Sequence, residues 1–107
     1  MARELRLYPL EGSGVSFYIL SMKRDKELFN QIMKLPQEII QVDSVSYFGW
    51  TSIERNHNGA PNHTVLAGDL SELIELESVK ESHTNTACLS FIKALPKNYK
   101  VALIWRE

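Results

Sequence analysis

His57 and His63 flank the segment Asn58-Gly59-Ala60-Pro61-Asn62, and Glu54 lies just upstream. Two imidazoles and a carboxylate are donor types that hold a zinc ion and let it activate water. A segment of turn formers, however, offers neither a rigid element to fix such ligands nor partners to orient them. The expectation is solvated loop histidines. A small metal-dependent hydrolase using His57, His63 and Glu54 is the alternative drawn from the enzymes. His83, ahead of a helical pattern, reads as a surface residue near a cap.

The single cysteine, Cys88, would need a neighbouring base and an electropositive, accessible setting to act as a nucleophile. Its place on an apolar stripe argues instead for a small core residue. Gly12-Ser13-Gly14 lacks the third glycine of a dinucleotide fingerprint and any following Gly-Lys-Ser/Thr, so it reads as a hairpin turn. Gly-x-Ser-x-Gly, His-Glu-x-x-His and Cys-x-x-Cys patterns do not occur. The sequence thus assigns no catalytic residue, no metal ligand and no cofactor, and favours a non-enzymatic protein.

Charge carries the stronger signal. The net charge of −1 conceals a division along the chain. Residues 1–36 hold six Lys/Arg against four Asp/Glu, residues 37–83 two against eight, and residues 84–107 four against one. In the acidic middle, Asp69, Glu72, Glu75, Glu77 and Glu81 follow one another closely. Helical spacing there turns Leu70, Leu73 and Ile74 inward and Glu72 and Glu75 to water. Such a ridge focuses negative potential, which speeds encounter with a basic partner and repels nucleic acid. Tyr47, Phe48 and Trp50 cluster nearby, and an exposed Trp or Tyr is a common anchor of protein interfaces. Stacking on nucleotides would require a basic groove beside those rings, and this region is acidic. The candidate partner-binding residues are therefore Asp69, Glu72, Glu75, Glu77, Trp50 and Tyr47.

The elements that must position these residues follow from periodicity. Arg3 to Tyr8 alternates polar and apolar residues as a strand stopped by Pro9. Val15 to Leu20 predicts a second strand with Val15, Phe17 and Ile19 on one face, completing a hairpin. Leu28, Phe29, Ile32 and Met33 recur with helical spacing behind Asp25, and Pro36 forbids continuation. Residues 38–55 are rich in β-branched and aromatic types and predict one bent strand or two short ones. A loop over residues 56–62 then leads to a strand over Thr64 to Ala67. Asp69-Leu70-Ser71-Glu72 has the form of a capping box, favouring a helix over 69–79 rather than a strand. His83-Thr84-Asn85 offers caps for a last helix bearing Cys88, Phe91, Ile92 and Leu95, ended by Pro96. Tyr99 to Trp105 has the composition of a strand buried on both faces.

A chain of 107 residues with 44% apolar and 23% charged residues falls near the globular average and suits one core. The fold class is therefore α+β: a single domain over residues 1–107, its mainly antiparallel sheet carrying two or three helices on one side. The first residues lack the apolar stretch of a signal peptide, no run is long enough to span a membrane, and one cysteine forms no internal disulfide. Cytoplasmic residence is the expectation. The functional expectation is a protein-binding module, such as an inhibitor or immunity protein, that blocks a basic partner such as a nuclease. An assembly subunit of a larger complex is the third alternative.

Overall fold

The structure is a computed structural model that describes residues 3–10, 19–39, 56 and 61–107. The described elements are β1 (Glu4–Pro9), β2 (Leu20–Lys23), α1 (Lys26–Met33), β3 (Glu38–Ile39), β4 (His63–Leu66) and α2 (Ala67–Ser71). A 3₁₀ turn (Glu72–Glu75), α3 (Glu77–Lys80), α4 (His83–Lys93) and β5 (Lys100–Arg106) complete them. The strands form one antiparallel sheet in the order β2-β1-β5-β4-β3, and the fold class is α+β.

β5 explains this order. Val101, Ala102, Leu103 and Ile104 are all fully buried, so the strand must be covered on both faces and paired on both edges. β1 and β4 supply the pairing, in the registers Leu7↔Leu103 and Val65↔Val101. Leu5, Leu7, Met22, Val65, Val101 and Leu103 then share one sheet face. Leu28, Phe29 and Ile32 of α1, Leu70 of α2, Val79 of α3 and Cys88, Leu89 and Ile92 of α4 pack against it as one core. Phe29 meets Trp105 edge to face, with ring centroids 5.2 Å apart. Ala102 packs with Leu10 and Tyr8 in a separate small cluster.

Several expectations need correction. The second strand occupies Leu20–Lys23, with Leu20 and Met22 turned to the core, while Ile19 is 57% exposed. Pairing of Leu5 with Met22 sets that register, and period-two alternation then turns every neighbour outward. Val15 and Phe17 lie outside the described residues, as do residues 40–55. Asp25 caps α1 by accepting from the Leu28 amide at 3.0 Å, but Met33, the last residue of α1, is 64% exposed. Ala67 opens a helix rather than ending a strand. The helix expected over 69–79 is divided, because Leu76 adopts an extended conformation (φ −64°, ψ 137°) and separates α2 and its 3₁₀ turn from α3. Ser82, not His83, caps α4, accepting from the Asn85 amide.

Asn85 itself closes one margin of the sheet. Its Oδ1 accepts from the Lys23 amide at 2.8 Å, and its Nδ2 donates to the Lys23 carbonyl at 3.0 Å. The side-chain amide thereby does for β2 what another strand would do, while remaining only 1% exposed. Asn85→Ala leaves both Lys23 groups unmatched and is expected to lower unfolding free energy by about 2 kcal/mol. Urea denaturation measures this. A change below about 0.5 kcal/mol would show that water replaces the amide at no cost.

Candidate functional site

Three of the acidic candidates come together at one end of the helical layer. Asp69 lies in α2, Glu72 and Glu75 in the 3₁₀ turn that continues it, and all three line a groove of about 640 Å³. Leu66, Gly68, Ser71 and Ile74 complete that side, and Lys93, Leu95, Lys97 and Asn98 line the groove from the end of α4 and the turn beyond it. Glu72 and Glu75 are exposed and Asp69 half-exposed. Glu77 does not line the groove, since the extended Leu76 starts a new helix there, and its side chain is exposed elsewhere on the surface. Tyr47 and Trp50 lie outside the described residues.

The expected ridge is thus one wall of a groove with charge of both signs. Glu75 meets Lys80 at 3.4 Å, an exposed pair that adds little stability. Among the described residues, Asp69, Glu72, Lys93 and Lys97 form no ion pair. Leu66, Ile74 and Leu95 add apolar surface to the groove's lining.

Backbone contacts hold the groove in shape. The first amides of a helix lack intrahelical acceptors, and the expectation was that Asp69 would cap them. The helix instead starts two residues earlier, so Asp69 falls inside its first turn. The Ala67 amide donates to the Tyr99 carbonyl at 2.8 Å and the Gly68 amide to the Lys97 carbonyl at 2.9 Å. Asp69 is thereby released to face the groove. This approach favours a glycine, because a β-carbon at position 68 would lie 3.0 Å from Lys97 Cβ and 3.1 Å from its carbonyl oxygen, close enough that the Lys97 turn would have to give way by a few tenths of an ångström. The Ser71 hydroxyl donates to the Gly68 carbonyl at 3.2 Å and tightens the same turn.

The groups read as enzyme candidates occupy structural positions or fall outside the described residues. His57 and Glu54 are outside. His63 is in β4, with Nδ1 2.8 Å from Gln37 Oε1. Gln37 Nε2 donates to the Ile32 and Met33 carbonyls at the end of α1, so its oxygen is left to accept and His63 Nδ1 carries the proton. His83 is an exposed first residue of α4. Among the described residues no three His, Cys, Asp or Glu side chains are placed to hold a metal ion. Cys88 is buried, its thiol 3.6 Å from the Ser21 carbonyl, and desolvation pushes its pKa above the ordinary value. It remains a protonated thiol at neutral pH.

Sequence reasoning missed Lys93, Lys97, Leu66 and Leu95. Leu66 directly precedes the helix that carries Asp69, whereas nothing in the spacing of Lys93, Leu95 and Lys97 links them to Asp69, because they join it only through the fold. The small pair Ala67-Gly68 before Asp69 was the available signal of a close backbone approach.

No family model matches the chain, and comparison with curated proteins and with solved structures finds no match either. Among the described residues, no helix is long and apolar enough to cross a membrane.

Gly68→Ala tests whether backbone contact fixes the groove. Alanine favours a helix by about 1 kcal/mol, whereas overpacking a tight site costs about 1–3 kcal/mol. The neighbouring atoms are Lys97 Cβ and the Lys97 backbone, whose carbonyl already accepts from the Gly68 amide. The variant is therefore expected to be less stable than wild type by about 1 kcal/mol in urea denaturation. A more stable variant would show that the Lys97 turn moves freely.

Proposed function

We propose that the chain is a non-enzymatic protein-binding module that blocks a basic partner, in the manner of an inhibitor or immunity protein acting on a nuclease. The observation that supports this reading is the placement of Asp69, Glu72 and Glu75 together along one open groove whose lining also includes Leu66, Ile74 and Leu95. Carboxylates without internal ion pairs are available to cationic groups of a partner, and Asp69 and Glu72 are in that condition. Glu77, exposed at the start of α3, extends the negative field beyond the groove. Tyr47 and Trp50 are of the residue types that anchor protein interfaces, and the proposal gives them that role. Inhibition follows from steric occlusion, with the acidic side chains standing in for the phosphates of a nucleic-acid substrate.

Capture from host lysate at near-physiological salt, comparing wild type with the folded Glu72→Lys/Glu75→Lys variant, tests the reading. A basic protein held by wild type and lost by the variant, whose activity falls when purified wild type is added, is the expected outcome. Equal retention by both forms, or a partner whose activity is unchanged, contradicts it.

A further inference from the structure

Asp69, Glu72 and Glu75 line the groove from α2 and its 3₁₀ turn, Lys93 and Lys97 line it from the end of α4 and the turn beyond, and Leu66, Ile74 and Leu95 add apolar lining. A uniformly basic segment would meet Asp69, Glu72 and Glu75 favourably and Lys93 and Lys97 unfavourably. We infer that the occupant is an extended segment of a partner protein in which basic and acidic residues alternate. This rests on the reading of the chain as a protein-binding module and names the chemistry its groove selects.

Geometry selects the backbone conformation. In a 3₁₀ turn, residues three apart eclipse one another about 6 Å apart along the axis, so Glu72 and Glu75 stand in one column. Asp69, three residues before Glu72, continues it at a similar spacing. An extended chain repeats side chains on the same face every ~6.7 Å and sends the intervening ones to the opposite face. Three alternate Lys or Arg residues thus match Asp69, Glu72 and Glu75, while the residues between them face Lys93 and Lys97.

The test uses the full chain, labelled with nitrogen-15, and two blocked peptides of one composition: Lys-Glu-Lys-Glu-Lys and Lys-Lys-Lys-Glu-Glu. Binding is followed by amide chemical shifts in wild type and in the Lys97→Glu variant, whose fold the same spectra report. The alternating peptide is expected to move amides of residues 68–75 and 95–98 and to bind about fivefold tighter than the block peptide. Lys97→Glu is expected to weaken the alternating peptide about threefold. A merely acidic surface predicts the opposite sign, because a further carboxylate would strengthen attraction to a net-positive peptide. Equal or tighter binding of the block peptide, strengthening by Lys97→Glu, or no binding of either peptide overturns the inference. None of these results decides the protein-binding reading, which stands or falls on the lysate capture and the loss of a partner with Glu72→Lys/Glu75→Lys.

Discussion

The carbonyls of Lys97 and Tyr99 lead into β5, and they accept the first two amides of α2. That pair of hydrogen bonds ties the central strand to the segment bearing Asp69, Glu72 and Glu75. β5 is fixed by burial on both faces and pairing on both edges, so its entry turn inherits a definite position. The backbone approach at Gly68 then sets how closely the acidic segment lies against the lysine-bearing turn. With its amides satisfied by backbone, α2 needs no acidic cap, and Asp69 is left for the surface. Charge placement in the groove is thus a consequence of how one helix start is satisfied.

Side-chain amides complete the sheet where backbone runs out. Asn85 occupies the outer side of β2 at Lys23. Asn56 bridges the Trp105 amide and the Pro61 carbonyl, at 2.8 and 3.0 Å, where the ladder between β4 and β5 continues past His63. Gln37 donates to the last carbonyls of α1 and accepts from His63. Each has one donor end and one acceptor end in fixed geometry, as a peptide group does. A buried polar group is tolerated when its bonds are made, which accounts for Asn85 in the interior. These contacts tie β2 to α4, β4 to β5 and the end of α1 to β4.

What was legible in the sequence were patterns whose physical cause is local. The apolar run ending at Trp105 announced a doubly covered strand, and Asp25 announced the start of α1, because neither depends on distant residues. The α+β class followed from the order of such patterns. The start of α2 was misread because its acceptors come from Lys97 and Tyr99, far along the chain. Ile19 faces solvent because alternation gives a period but not a phase, and the phase of Leu20–Lys23 comes from pairing Leu5 with Met22. For the groove, the acidic wall was legible as a cluster of charge, whereas Lys93 and Lys97 were not, since their position depends on sheet pairing.

The charge division along the chain is therefore only partly a division in space. β1 brings Lys23 of β2 and Arg106 of β5 into one row across Glu4, joining the two basic ends of the sequence. The basic C-terminal segment also sends Lys93 and Lys97 into the acidic groove, turning a uniform field into a two-sided one. The most direct measurement of the central claim is amide hydrogen exchange on the chain alone and in complex with the partner recovered by capture. The account predicts slowed exchange in both residues 68–75 and 93–98 on binding. Slowing confined to β1 and β2, with both groove segments unchanged, would contradict it.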